Sequence, residues 1–293
     1  MAVRTRKSIT NTDLDEIDGL TPLARADAIL GVRVYDVGQG DSIAILDQDK
    51  RPVVQVDYGG REGHPFVGPD WADAVVPVAK ADLVMMTHWD EDHWCAARKA
   101  TTIKTAKWLV PRQITSPRAV QFSTEISSIR CIPETHVGRA FHFTSRGGDE
   151  LWWEKIAHGP EIGAEDEDCN RTGVALSVVR RRLDGSGSVI LLPGDAPFDR
   201  IGHYWRHFDA GLTLRGVVAF HHGAGTHWTR ATEQLLTDWA DVAVPPTIIF
   251  SCARPNSYNH PDDKRYSALL PRAALEYTAD KRGHAAPFID LLF

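Results

Sequence analysis

The sequence predicts an α/β chain in which two β-sheets pack face to face and helices cover their outer surfaces. Three observations lead there. Short β-rich runs at antiparallel spacing open the chain, strand and helix patterns alternate through its later part, and the two parts repeat the same order. No short-period repeat or low-complexity tract competes with that reading.

Residues 1–30 are polar and helix-compatible, and they read as an N-terminal extension, leaving 31–293 as one domain. Val32, Val34 and Val37, then Ile43, Ile45 and Leu46, then Val53, Val54 and Val56 form three short strands. Gly38-Gln39-Gly40 and Asp47-Gln48-Asp49-Lys50 separate them as turns. After Gly59-Gly60 the pattern suits an amphipathic helix over Trp71–Lys80, and Leu83–Met86 is a buried strand. Leu151–Ile156, Val174–Val179 and Val189–Leu192 read as strands, the last stopping at Pro193-Gly194-Asp195. Phe198–Phe208 reads as a helix, Arg215–Phe220 as a strand that stops at His221-His222-Gly223, and Thr229–Trp239 as a helix. A strand over Thr247–Phe250, a helix over Pro261–Leu270 and a strand over Phe288–Leu292 close the chain.

Composition narrows the function. At 293 residues, 43% apolar and 25% charged, the chain is that of an ordinary globular domain. Its net charge of −6 excludes nucleic-acid binding by bulk electrostatics; Arg180-Arg181-Arg182 reads as a solvated strand end. Cys95, Cys131, Cys169 and Cys252 form no CxxC pair, which argues for reduced thiols rather than a zinc ribbon or disulfide framework. With no signal-peptide core and no bilayer-length apolar run, the expected location is cytoplasmic, without membrane contact.

Chemistry concentrates where strands end. His88-Trp89-Asp90-Glu91-Asp92-His93 packs two histidines and three carboxylates into six positions directly after an apolar strand. Desolvating that much charge without a cation costs several kcal/mol per ion, on the order of the buried-ion penalty. The same strand-to-ligand pattern recurs before Asp195 and before His221.

These residues resemble a known family. His88-x-Asp90-x-Asp92-His93 is similar to the HxHxDH signature of the metallo-β-lactamase superfamily, with Asp90 in place of the second histidine. That replacement resembles the hydrolase domain of ComEC-type DNA-uptake proteins. Further segments match the same branch in order: Asp36-Val37-Gly38-Gln39-Gly40-Asp41-Ser42, Gly194-Asp195-Ala196, His221-His222-Gly223 and Asn259-His260-Pro261. The resemblance runs from Val32 to about Leu270 and implies a four-layer αββα sandwich of two mixed β-sheets, the metallo-β-lactamase fold. It departs at Asn170, where the superfamily carries a ligand histidine and for which His158 is an alternative, and after Gly223, where Ala224-Gly225-Thr226-His227 replaces the usual continuation.

The resemblance implies two divalent cations, zinc or manganese with magnesium as a third option, about 3.5 to 4 Å apart and activating a hydroxide. His88 and Asp90 hold one, Asp92, His93 and His260 the other, and Asp195 bridges. Oxygen-rich ligands at Asp90 and Asn170 favour the harder metals. His221 or His222 orients the scissile group or protonates the leaving oxygen, alongside Asp92 as a catalytic residue. Asp57 braces a ligand histidine or simply makes a turn, Asp41 points to the site or stays structural, and His227 is a weak substrate contact. Trp89 and Trp94 are expected to pack around the metal loop. The substrate implied is a phosphodiester, single-stranded DNA or a nucleotide, and a separate protein partner fits a domain without a membrane channel. The rivals are hydrolysis of a lactone, amide or thioester, and a degenerate binding module.

Overall fold

A computed structural model describes residues 7–8, 20–60, 83–157, 169–182, 184–226, 228–240, 244–254, 256–284 and 287–293. The predicted helix over 71–80, His158 and His227 lie outside the described residues. Strand β1 (Lys7–Ser8) pairs with a two-residue strand, β7 (Ile114–Thr115), apart from the main sheets.

The first main sheet contains β2 (Ile29–Tyr35), β3 (Ile43–Asp47), β4 (Pro52–Val56), β5 (Leu83–Met85), β6 (Lys107–Pro111), β8 (Ser128–Ile132) and β16 (Phe288–Leu292). Its order is β16-β2-β3-β4-β5-β6-β8, antiparallel as far as β4 and parallel beyond. The second contains β9 (Ala140–Thr144), β10 (Glu150–Lys155), β11 (Val174–Arg181), β12 (Gly187–Leu192), β13 (Thr213–Val218), β14 (Thr247–Phe250) and β15 (Ala274–Tyr277). It repeats the plan: antiparallel from β9 to β12, parallel from β12 to β15. The expected pair of mixed sheets is present, and each changes from hairpin to crossover connections partway across.

Strand alternation builds three buried layers. In β3, Ile43 and Ile45 face the other sheet while Ala44 and Leu46 face outward, and in β11 Leu176 and Val178 face inward while Ala175 and Val179 face outward. The middle layer joins the sheets through residues such as Val34, Val54, Met85, Trp153, Ile190 and Val218. Leu23 and Ile29, inside the stretch read as an N-terminal extension, are fully buried in it. The outer layers sit beneath helices α1 (Pro117–Ser123) on the first sheet and α2 (Gly202–Asp209), α3 (Arg230–Trp239) and α4 (Asp263–Leu269) on the second. This is the four-layer αββα sandwich.

Helix ends follow local chemistry. Ser116 accepts from Ala119 N with Pro117 at the first position of α1, and Thr229 accepts from Thr232 N to start α3. Thr232, Leu235, Leu236 and Trp239 then recur on one buried face. The helix expected over 198–208 divides: a 3₁₀ turn covers Phe198–Arg200, Ile201 is extended, and α2 starts at Gly202. The division arises because Glu154 of β10 accepts from the Gly202 and His203 backbone N–H groups at 3.2 and 2.8 Å, supplying the cap from outside the segment. Helix α4 starts at Asp263 rather than Pro261, since the Asp262 side chain caps it. The four cysteines are buried, and among the described residues no helix is long and apolar enough to cross a membrane.

Candidate metal centre

The parallel strands of both sheets converge their C-terminal ends on one cleft, the place where α/β sheets present ligand-binding loops. Asp57 follows β4, Thr87 and His88 follow β5, Asp195 follows β12, His221 and His222 follow β13, and Ser251 follows β14. After β5 the chain tightens into a 3₁₀ turn over Glu91–His93, closed by His93 N donating to Asp90 O at 3.1 Å. The turn buries His93 completely and leaves the Asp92 side chain 30% exposed.

Asp195 sits between two sets of groups, one for each carboxylate oxygen. Its Oδ1 lies 3.3 Å from His93 Nε2 and 3.7 Å from His222 Nε2, and Asp92 Oδ2 is 3.2 Å from the same His222 atom. Its Oδ2 lies 3.5 Å from His88 Nε2 and 3.7 Å from His221 Nε2, with Asp90 Oδ2 3.5 Å from His88 Nε2. A tetrahedral cation with ligand bonds of about 2.1 Å holds its donors roughly 3.4 Å apart, which is the spacing seen here. His88, His93 and Asp195 form one three-donor group, and Asp92, His93 and His222 another.

These inward atoms are otherwise unsatisfied. His88 Nε2, His93 Nε2, His222 Nε2 and Asp195 Oδ1 are buried without a hydrogen-bond partner among the described residues. A buried polar atom without a partner is costly, and four gathered at one carboxylate fit cations bound among them. The donor set of imidazole and carboxylate suits a divalent metal.

The other side of each ring is braced. Asp57, fully buried, accepts from His93 Nδ1 at 2.8 Å and from the Thr87 backbone N and hydroxyl at 2.7 and 2.6 Å. The Thr87 hydroxyl lies 3.1 Å from His88 Nδ1. Asp41 Oδ1 lies 3.5 Å from His222 Nδ1 and accepts a hydrogen bond from Ser251 Oγ, which is itself 3.3 Å from that nitrogen. An acceptor at Nδ1 keeps the proton there and leaves the Nε2 lone pair facing inward. Asp57 and Asp41 thus lie against the Nδ1 edges of His93 and His222, on the side of each ring away from Asp195.

Two glycines make room for this. A Cβ on Gly40 or Gly59 would fall 2.1 or 1.8 Å from the Asp92 carbonyl oxygen, so only glycine lets the β2–β3 and β4 loops close on the ligand turn. Backbone strain appears opposite: His221 and His222 both adopt left-handed conformations, at φ 47° and 55°. Such conformations cost on the order of 1–2 kcal/mol each, and they aim two adjacent rings at the same carboxylate.

The electrostatics balance around Asp195. Burial works against charge on His93, but Asp195 and Asp57 outweigh it and hold the imidazole well above its ordinary pKa. His222 behaves alike under Asp195 and Asp41, and His88 is raised by Asp195 and Asp90 against burial and the His93 charge. Burial would raise Asp195, but His93, His222 and His88 hold it well below the carboxylate range. Without a cation, protons take its place on the Nε2 atoms.

A cavity of about 540 Å³ opens over the centre, lined by Gln39, Asp90, Glu91, Asp92, Arg118, Asp195, His221, His222, Tyr258 and His260. His260 is at its wall, with ring centroids 5.5 Å from His221 and 6.4 Å from His222, and it joins none of the four three-donor groups among the described residues. His222, whose left-handed backbone turns its ring inward, belongs to two such groups, Asp92-His93-His222 and Asp41-Asp195-His222. Burial and the charges of His222 and His221 push His260 down to about 4. Asn170 lies on the 3₁₀ turn before β11, its Oδ1 buried without a partner among the described residues. Trp89 and Trp94 pack in the outer core of the first sheet, as expected. Ser251, Arg118 and Tyr258 carry no site signal in the sequence, and Thr87 has only its place directly before His88.

No family model and no curated protein matches the sequence. Among solved structures, the chain is similar to the metallo-β-lactamase fold protein YhfI from Bacillus subtilis, at 10% identity and a TM-score of 0.47, covering 90% of this chain and 98% of that one. It is similar to a diphosphatase of the PhnP family at 11% identity and a TM-score of 0.41, covering 83% and 94%. The metallo-β-lactamase MIM-1 from Novosphingobium pentaromativorans matches at 12% identity and a TM-score of 0.36, covering 87% and 94%.

Proposed function

We propose that the chain is a metal-dependent hydrolase of the metallo-β-lactamase superfamily, close to the ComEC-type branch, which cleaves phosphodiester bonds in single-stranded DNA or nucleotides. The observation that carries the reading is the set of partnerless inward donors around Asp195. One cation would be held by His88, Asp90 and Asp195 Oδ2, the other by Asp92, His93, His222 and Asp195 Oδ1. Divalent cations bound there supply Lewis acidity, activating water and neutralising charge on a phosphoryl oxygen.

The chain's own residues do the rest. Asp57 and Asp41 hold protons at His93 Nδ1 and His222 Nδ1, so the Nε2 atoms stay available as donors. His221, with its side chain 23% exposed at the cavity wall, carries the proton that the leaving oxygen needs on Nε2. His260, pushed down to about 4, is neutral at pH 7 and serves as a hydrogen-bonding wall rather than a proton source. The cavity's size suits a small or locally gripped substrate, in keeping with the net charge of −6.

The test is metal analysis followed by assays on a generic phosphodiester, a short single-stranded DNA and a lactone, with zinc, manganese and magnesium in turn. Metal-dependent cleavage of the phosphodiester and the DNA is the expected result. Cleavage of the lactone alone would overturn the substrate assignment, and a protein that takes up no metal would overturn the enzyme assignment.

A further inference from the structure

We propose that Arg118 and Tyr258 are the substrate-recognition residues of this centre, Arg118 gripping a phosphate and Tyr258 stacking on a nucleobase, so that the ligand is a nucleotide unit. The inference rests on the hydrolase reading above and adds to it the residues that recognise the phosphate and the base.

Among the described residues lining the cavity, Arg118 is the only lysine or arginine, and the other charged ones are carboxylate and imidazole. Its Nη1 lies 2.9 and 3.2 Å from the two oxygens of Glu91, and both side chains are about half exposed. An ion pair between half-exposed side chains adds little stability, so the guanidinium can turn to a ligand at small cost. Phosphate is that ligand, because its oxygens match the guanidinium fork.

Tyr258 has a different anomaly. It is 54% exposed, one of two large hydrophobic side chains exposed among the described residues, yet its backbone is tied to the Asn256 side chain. Asn256 accepts from Tyr258 N at 2.9 Å and from His260 N at 3.2 Å, and it donates to the Ala253 and His260 carbonyls at 2.7 Å each. The ring stands near His260, with centroids 5.8 Å apart. An aromatic ring presented on a pinned backbone binds a flat group without ordering a loop first. Bases stack on such rings without strong sequence preference. A cavity of about 540 Å³ falls within the ordinary range for small ligands, and a nucleotide's phosphate and base would meet the two residues from the same cavity.

The experiment compares wild type with Arg118→Met, Tyr258→Ala and Tyr258→Phe, in manganese, on the p-nitrophenyl ester of thymidine 5′-phosphate and on methyl p-nitrophenyl phosphate. Arg118→Met is expected to raise KM for both esters roughly tenfold or more. Tyr258→Ala should raise KM roughly tenfold on the nucleotide ester, more than on the methyl ester, and Tyr258→Phe should restore it. Calorimetric binding of thymidine 5′-monophosphate is measured on the same proteins without turnover. Wild-type binding weakened by both Arg118→Met and Tyr258→Ala supports the assignment even if neither ester is cleaved, an outcome that would sink only the phosphodiesterase reading. Equal affinities across the variants, or no binding to wild type, overturn it.

Discussion

Converting Asp57 to asparagine isolates the bracing of the centre from its ligands. Asp57 Oδ1 accepts from Thr87 N, while Oδ2 receives both the Thr87 hydroxyl and His93 Nδ1. The substituted side chain would keep the first contact through its carbonyl oxygen and place an NH₂ where the other two donors point. The hydroxyl can rotate away, but the imidazole can only change tautomer, which moves its proton to Nε2, 3.3 Å from Asp195 Oδ1, and removes the donor lone pair. Loss of such a brace weakens metal binding about 10- to 100-fold. At a cation concentration 100 times the wild-type Kd, linkage gives wild type about 2.7 kcal/mol of added stability and the variant only about 1.4 to 0.4 kcal/mol. Thermal unfolding of both proteins, with chelator and with saturating zinc or manganese, reads that difference directly. The variant should show a smaller metal-induced rise in Tm, and metal titration should show the weaker Kd. An Asp57→Asn protein that binds cation as tightly as wild type would refute the tautomer argument.

Asp195→Asn should lower bound metal and reduce hydrolysis about 100-fold or more while far-UV circular dichroism stays unchanged; an active variant would show that the shared carboxylate is dispensable. His222→Ala should lower metal stoichiometry whereas His260→Ala should retain it, as elemental analysis can decide; the reverse pattern would restore His260 as the ligand. His207 is buried against Ser177 Oγ at 2.9 Å, and burial pushes it down to about 3 from 6.5. The unfolded chain therefore binds the extra proton, so stability falls as pH drops below 6.5 and the loss levels off near 3, reaching about 2 kcal/mol at pH 5. Urea unfolding at pH 7 and 5 should show this loss, reduced in His207→Gln; an equal pH dependence would place its origin elsewhere. Glu154→Ala should lower the urea midpoint by the equivalent of about 2–3 kcal/mol, since it removes the cap of α2 and a contact with His203, and an unchanged midpoint would show that water substitutes for it.

The legible parts of this fold are those written locally. Val32–Val56, Leu83–Met86, Val174–Val179 and Thr247–Phe250 are runs of β-branched or aliphatic residues bounded by turns, and each is a strand or a set of strands. Strands β6, β8 and β9 had no reading, being five residues long and set among 3₁₀ turns, and edge strand β15 carries only partly buried or exposed side chains. At the centre, the dense segment His88–His93 announces itself because its ligands are contiguous. Choosing between His222 and His260 required knowing which ring faces inward, and that depends on two left-handed backbone residues that no motif spells out. Ser251, Arg118 and Tyr258 reach the site through long-range packing from different elements, so their neighbours in sequence carry no sign of it.

The division of donors between the sheets bears on how the molecule is assembled. Asp41, Asp57, His88, Asp90, Asp92 and His93 come from loops of the first sheet, and Asp195, His221, His222 and Ser251 from the second. Neither half of the sandwich holds a complete site. A cation bound at the centre is therefore a cross-link at the seam between the two sheets, and its affinity depends on their register. Any substitution that shifts the sheets past each other, even far from the cleft, will be felt first as weaker metal binding, and the metal will resist that sliding in return.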